Sequence, residues 1–168
     1  MKTALIIASL LMAAFVIYLF ILGAMSRNGK APGLIDGNLA RCPDKPNCVC
    51  SEYDKDTRHY ITPIAIPERG TDHLLSNIKN TIIDMGGSMQ AETGQYLAAS
   101  FSSDLFGFVD DFEVRIDLSH HVIHVRSASR VGTSDLGVNR KRAEAFSKRI
   151  SRMMPSMEQS SIAPSGPG

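Results

Sequence analysis

Three cysteines stand close together in the run CPDKPNCVC, at Cys42, Cys48 and Cys50. A zinc site usually needs four ligands, with two to four residues between paired ligands and partner Cys or His residues downstream. The cysteine spacing here does not fit that pattern, and His59 offers only one further ligand, so we predict no metal. We interpret the segment as a proline-rich loop closed by a Cys42–Cys48 disulfide, which requires an oxidising compartment. With that disulfide, Cys50 is the odd cysteine, either free or in competition with Cys48. Free thiols are the alternative.

Acidic and basic side chains alternate along two predicted strands and continue into the loop and helix that follow. Paired carboxylates can act as general acid and base or hold a hard cation, and arginines can clamp an anion. Cross-strand charge pairs on a solvent-exposed sheet face are the structural alternative, which we expect here. The candidate binding residues are Asp110, Asp111, Glu113, Arg115, Arg126, Arg130, Asp135, Asn139 and Arg140.

Asp110 departs from this pattern because it falls on the otherwise apolar face of its strand, beside Ser129. A buried aspartate needs hydrogen-bond donors, which backbone amides of the 131–138 loop or Arg140 could supply. A structural latch and the floor of a site both remain open.

Other chemical motifs are weak. His120 and His121 lie in or beside a predicted turn, and His121 and His124 point to opposite faces of a strand, so we expect no metal there. The sequence has no GxSxG nucleophile elbow and no glycine-rich phosphate loop. We predict no cofactor.

The segment 139–154 reads as a helix with Phe146 and Ile150 on one face and mostly basic residues on the other. Contact with anionic lipid head groups and a merely solvated helix face are equally compatible with this pattern.

Hydrophobic periodicity predicts the strands and helices that would position these residues. Strands are expected at 59–66, 94–103, 108–118 and 122–130, and a first helix begins near Leu74. Thr71 or Asp72 is expected to cap that helix, and Gly86 and Gly87 to end it. The order strand, helix, three strands, helix predicts an α+β fold with a small antiparallel sheet and two helices on one face. The charged face would stay open.

The strands 108–118 and 122–130 fit a hairpin in which paired residue numbers sum to 239. This register pairs Ile116 with Ile123 and Glu113 with Arg126, whereas a slip of one residue would break the match. Ser119 and His120 would form the turn, and a longer loop in the same phase stays open.

No charged residue occurs between Thr3 and Met25, which is long enough for a transmembrane helix. A cleaved signal peptide is the alternative, but its apolar core is usually shorter, and a cut after Ala24 would put Leu22 where a small residue is preferred. We predict an uncleaved anchor over 1–25, a linker over 26–38, a domain over 39–154 and a disordered tail over 155–168.

Positive charges flank the apolar segment on both sides, so charge alone does not orient it. The predicted disulfide places the domain outside the cytoplasm. A net charge of +1 argues against a nucleic-acid partner. The expected partners are therefore the membrane, through residues 3–25, and anionic lipid or an envelope protein.

Three segments in order, CPDKPNCVCS, YLAASFSSDLFGFVDDFEVRID and IHVRSASRVGTSDLGVNRKR, resemble the family called domain of unknown function 1499. The resemblance covers about 41–153. It implies a bacterial envelope protein, often with an N-terminal membrane segment, and it implies no reaction or catalytic residue. Together with the apolar segment and the predicted disulfide, it leads us to expect a single-pass protein of the bacterial inner membrane, with its domain in the periplasm or outside the cell. Cys50 stands where such sequences usually carry serine.

We therefore expect a binding module, not an enzyme. An enzyme that uses Asp110, Asp111 and Glu113 with Arg126 or Arg130 is the first alternative. A thiol-disulfide or envelope assembly factor that uses the three cysteines is the second.

Overall fold

The computed structural model of this chain describes residues 1–67 and 73–162, with side chains up to Met154. The expected helix cap at Thr71 or Asp72 and the last residues, 163–168, lie outside the described residues.

The fold is α+β. Its elements are α1 (Lys2–Ser26), β1 (Leu34–Ile35), β2 (Asn38–Leu39), β3 (Cys48–Cys50), β4 (Ile64–Ala65), α2 (Leu74–Asp84), β5 (Ser88–Thr93), β6 (Tyr96–Ser102), β7 (Val109–Asp117), β8 (Val122–Ser129) and α3 (Val138–Ile162). The hairpin β1–β2 lies in the segment predicted as a linker. Helix α3 continues into the segment predicted as a disordered tail.

The main sheet has six strands and is antiparallel, in the order β3-β8-β7-β6-β5, and β4 pairs with the same strand β8 as β3 does. Two of its strands, β3 and β5, are additional to those expected. The strand predicted over 59–66 contracts to β4 and a bridge between Cys50 and Tyr60. Pro63 and Pro67 flank β4 and lack the amide donors that a longer ladder would need.

The predicted register of the central hairpin is confirmed. Ile116 pairs with Ile123 and Glu113 pairs with Arg126. The strands are joined by the four residues between Asp117 and Val122, which is the longer loop in the same phase. His121 takes the left-handed conformation in it, with φ of 52°.

Both helices of the domain pack on one face of the sheet, as predicted. Ile78 and Ile82 of α2 and Phe146 and Ile150 of α3 are buried against the apolar side of β6, β7 and β8. The rings of Phe146 and Phe112 meet edge to face with 5.1 Å between centroids. Gly86, with φ of 87°, follows the end of α2 as expected.

The opposite, charged face is not open. The chain that follows α1 crosses this face, where Leu39 and Cys50 form a second small apolar cluster with Tyr96 and Ala98 of β6. The expectation of an open face was wrong because the chain between residues 26 and 53 crosses it and buries Leu39 and Cys50 against β6.

Helix α1 is long and apolar enough to cross a membrane, although a signal sequence would pass the same test of length and composition. Most of its side chains are exposed, but Gly23 and Ser26 in its last turns are buried against the domain.

Candidate functional site

The sheet face that residues 26–53 cross is called the covered face below. Glu113 lies at its centre and is completely buried. Its carboxylate accepts hydrogen bonds from Arg126 Nη1 at 2.7 Å, from the Tyr96 hydroxyl at 2.8 Å and from the Gly33 amide at 3.1 Å. Burial, followed by the negative charge of Glu113, raises the pKa of Tyr96. Glu113 is therefore held as an ion-pair partner with its acceptor sites occupied by protein donors.

Asp111 and Arg130 form a second ion pair on this face, beside the end of α1. The guanidinium contacts Asp111 Oδ1 at 3.0 Å through Nε and at 2.7 Å through Nη2. Its Nη1 donates to the carbonyl oxygen of Ser26 at 3.2 Å. The pair thus joins the sheet to the last turn of α1.

Arg115 makes a third pair, with a partner that sequence reasoning missed. Its Nε and Nη2 contact the two carboxylate oxygens of Glu52 at 2.7 and 3.1 Å, and Nη1 contacts Asp117 at 3.1 Å. The hydrogen bonds that Arg115 donates to Glu52 are the main cause of the raised pKa of Arg115. Glu52 is far away in sequence and lies in no periodic segment, so no local pattern identified it.

Asp110 lies on the apolar face of the sheet, where the helices pack, as predicted. Its hydrogen-bond donor is neither an amide of the 131–138 loop nor Arg140, the two that were expected. Arg142 of α3 donates from Nη2 to Asp110 Oδ2 at 2.9 Å. The same guanidinium donates from Nη1 to Asn139 Oδ1 at 2.8 Å and to Ser127 Oγ at 3.2 Å. Asn139 Nδ2 donates to the carbonyl oxygen of Asn47 at 3.1 Å, so this network ties α3 to the sheet and to the loop before β3.

Asp135 caps the N-terminus of α3. Its carboxylate accepts from the amide of Gly137 at 3.0 Å and from that of Asn139 at 2.7 Å. Arg140, in the first turn of the helix, donates to the carbonyl oxygens of Tyr60 and Arg58 at 3.0 and 2.9 Å.

A cleft of about 230 Å³ opens beside this helix end. It is lined by Pro46, Cys48, Val49, Arg58, Asp135, Gly137, Asn139 and Arg140. Arg58 is exposed and pairs with Asp44 at 2.9 Å. The cleft holds three of the predicted residues, Asp135, Asn139 and Arg140.

The structure therefore divides the predicted site. Asp110 faces the helices, whereas Asp111, Glu113, Arg115, Arg126 and Arg130 lie on or beside the covered face. A catalytic pocket would need Asp110 together with Arg130 and Asp135, and the sheet separates Asp110 from Arg130. Within residues 1–67 and 73–154, no three His, Cys, Asp or Glu side chains are placed to hold a metal ion.

The cysteines occupy the edge of the sheet. Cys42 and Cys48 are joined by a disulfide, and Cys48 is buried. Cys50 is free and buried, and its burial raises its pKa to about 11. A thiol of that kind is protonated at neutral pH and makes a poor nucleophile.

The histidines take separate local roles. His120 contacts Asp117 at 3.0 Å in the β7–β8 loop, while His124 contacts the hydroxyl of Ser51 at 3.3 Å. Burial lowers the pKa of His124.

The exposed side of α3 carries cations without acidic partners. No carboxylate in the described part of the chain lies within ion-pair distance of Lys141, Lys148, Arg149 or Arg152. The first, third and fourth turns of the helix therefore present a basic surface, which we define as Lys141, Lys148, Arg149 and Arg152.

The last turns of α1 are fitted to the domain at a point that sequence reasoning missed. The Ser26 hydroxyl donates to the carbonyl of Gly23 at 2.6 Å and accepts from the amide of Val109, the first residue of β7, at 2.9 Å. Gly23 lies so close to the carbonyl of Phe106 that a side chain there would collide with it. The signal available in the sequence was Gly23, the one glycine in the apolar segment 3–25.

Comparison with known proteins bears on the domain rather than on α1. The model of the family described as protein of unknown function (DUF1499) matches residues 38–150. The chain belongs to the DUF1499 family. Comparison with curated proteins and with solved structures gives no match.

The DUF1499 match contains the three ion pairs of the covered face, the Asp110–Arg142 contact and the disulfide. It begins after Gly23, Ser26 and Gly33. The contacts that join α1 to the domain thus combine residues inside the matched region, such as Val109 and Arg130, with residues outside it.

Proposed function

We propose that this chain is an uncleaved, single-pass membrane protein whose DUF1499 domain stands outside the cytoplasm and serves as a binding module. The observation that carries the proposal is the joint between α1 and β7. Ser26, Gly23 and Phe20 contact the domain, and a cut after Ala24 would remove the last two of these contacts. A signal peptide that is cleaved has no need to pack against the mature domain, so this packing supports an uncleaved helix.

The disulfide supports the location of the domain, because disulfides persist in oxidising compartments. A phosphatase reporter that is active only outside the cytoplasm, fused after Gly168, tests this orientation. We expect an active reporter, and a silent one would reverse the topology.

The basic surface of α3 is the binding surface that we propose. Helix α3 begins at the end of the sheet where α1 docks and runs toward β4 at the other end, so its cations line the side of the domain. Because the cations lie along the side of the domain rather than at the end where α1 docks, a protein with an acidic surface is favoured as the partner over anionic lipid. Such charges act mainly on the association rate and on specificity.

Site-specific cross-linking in intact cells tests the binding proposal. A photo-crosslinking amino acid at Lys148 should give a discrete adduct that weakens when Arg152→Glu is added. The matched control is the same amino acid at Lys79, an exposed position on α2 that pairs with Glu92. Identical adducts at both positions, or none at Lys148, would contradict the proposal.

The geometry does not favour the two alternatives. An enzyme would need Asp110, Asp111 or Glu113 accessible to a substrate, and each is engaged by an arginine. A thiol-disulfide factor would need a reactive, accessible cysteine. Cys48 and Cys50 are both buried, and Cys42 is partly exposed and bonded to the buried Cys48.

A further inference from the structure

The β6–β7 loop, residues 103–108, runs beside the last turns of the apolar helix. The ring of Phe106 meets that of Phe20 edge to face at 5.2 Å, and the ring of Phe108 lies 6.0 Å from that of Phe106. The close approach of Gly23 to the Phe106 carbonyl brings the loop backbone against the helix. The loop therefore extends past Ser26 toward the middle of α1.

The position of Phe20 fixes the depth of this loop. Helix α1 has 25 residues and is about 37 Å long, whereas the hydrocarbon core of a bilayer is about 30 Å thick. Phe20 precedes Ser26 by six residues, or about 9 Å along the axis. If the span begins near Lys2, Phe20 lies at the boundary between acyl chains and head groups, and the loop lies there too.

Large apolar side chains are exposed on this loop and on its neighbour. Leu105 is 71% exposed, and Leu136, in the loop between β8 and α3, is 88% exposed. Both loops leave the same end of the sheet, because Ser102 pairs with Val109 and Asp110 pairs with Ser129. Leu136 is also held with φ of 54°, a conformation that favours glycine.

An exposed cation lies beside the β6–β7 loop. The Arg27 side chain packs against Gly107 of the same loop, just beyond the end of α1. Arginine at a membrane boundary keeps its charged group among the head groups while its methylenes contact apolar surface. Apolar tips with an adjacent cation match the chemistry of a bilayer interface.

We propose that the tips of these two loops, Leu105 with Phe106 and Leu136, insert into the head-group boundary of the leaflet from which α1 emerges. This inference rests on the proposed function, because it needs α1 to span the bilayer. The domain then contacts the membrane at three points, α1 and two loops, and these set its tilt. The occupant of the apolar surface is lipid, and continuity with the apolar helix is the reason.

The absence of tryptophan from the chain permits a direct test. Leu105→Trp is made in the full chain and reconstituted into nanodiscs of phosphatidylcholine and phosphatidylglycerol. We expect a blue-shifted emission that brominated acyl chains quench. Leu118→Trp is the matched control, since Leu118 is also an exposed leucine but lies in the β7–β8 loop at the opposite end of the sheet. Its emission should be that of a solvated indole and unaffected by brominated lipid.

A third variant separates the failure of this inference from the failure of the anchor. Phe15→Trp reports whether α1 itself is in the bilayer. Quenching at position 15 together with solvent-like emission at position 105 would overturn the loop insertion and leave the anchor standing. Absence of quenching at position 15 would overturn both. A blue-shifted position 105 without quenching would mean that protein covers the loop, which contradicts lipid as its occupant. Leu136→Trp should behave as Leu105→Trp does.

Discussion

Glu113 holds together the part of the sheet that the N-terminal segment covers. Its carboxylate binds Arg126, Tyr96 and the backbone of Gly33 and has no exposed surface. The Nε of Arg126 finds no hydrogen-bond partner among the described residues. Removing the carboxylate would therefore leave a buried guanidinium almost uncompensated.

Glu113→Ala should lower the free energy of unfolding by about 3–5 kcal/mol, the usual effect of breaking a buried ion pair on one side. Urea unfolding of the full chain in detergent, followed by circular dichroism, measures it. Glu92→Ala is the control because it removes an exposed pair with Lys79 and should change stability by less than about 1 kcal/mol. Equal effects of the two substitutions would show that Glu113 is not the buried partner described here.

Cys50 should be unreactive in the folded protein. Burial raises its pKa to about 11, so about one thiol in ten thousand is ionised at pH 7. A maleimide should label the native chain slowly at pH 7 and label one thiol per chain quickly after denaturation without reductant. Rapid labelling of the native chain would contradict the burial of Cys50 and reopen its role as a redox residue.

At the residue scale, the charged residues of the two strands were identifiable from the sequence, but only some of their ion-pair and hydrogen-bond partners were. The pairing of Glu113 with Arg126 followed from the two-residue period of adjacent strands. Three partners were not predicted: Arg142, Glu52 and Tyr96. Their contacts join segments that are distant in sequence, and no local period determines how such segments are placed.

Among the elements, the β7–β8 hairpin was predictable because its two strands alternate strictly over several residues. Strand β5 was not, because it is a largely exposed edge strand with polar side chains on both faces and a register shift between Met89 and Ala91. Strands β1 and β2, in the covering segment before β3, could not be predicted for a different reason, because each has only two residues and so shows no period.

The β7–β8 loop depends on an ionised Asp117. Hydrogen bonds led by the Ser119 hydroxyl hold the pKa of Asp117 well below its usual range. A carboxylate with a lowered pKa binds a proton less readily in the folded than in the unfolded chain. It therefore stabilises the fold above about pH 4 and loses this contribution as the pH falls further.

Asp117→Asn should reduce stability at pH 7 and flatten the decrease in stability below pH 4. Melting temperatures of both proteins between pH 7 and pH 2 test this. Parallel pH profiles would mean that another carboxylate dominates the acid response.

The joint between α1 and the domain should depend on the smallness of Gly23. Gly23→Leu places a side chain against the Phe106 carbonyl and should separate the helix from the loop. Trypsin should then cleave faster after Arg27 and Lys30. Ala24→Leu is the matched control, because Ala24 is exposed and a larger side chain there should leave the joint intact. Equal cleavage rates in both variants would contradict the packed joint.

For the molecule as a whole, the joint between α1 and the domain adds a structural contact to what composition alone indicates about the apolar segment. By composition alone the segment would serve as an anchor or as a signal peptide. Its last turns contact β7 and the β6–β7 loop, so the helix packs against the DUF1499 domain although it lies outside the matched residues 38–150. The sequence could not predict this, because the partners of Phe20, Gly23 and Ser26 lie more than 80 residues further along the chain.

The mass of the mature protein, extracted from cell membranes and measured intact, tests the central claim most directly. The full chain has a mass of 18.3 kDa. We predict this mass, less at most the initiator methionine. A mature protein that begins near Met25 would contradict the account, because Phe20 and Gly23 would then be absent from the joint that holds the domain to the membrane.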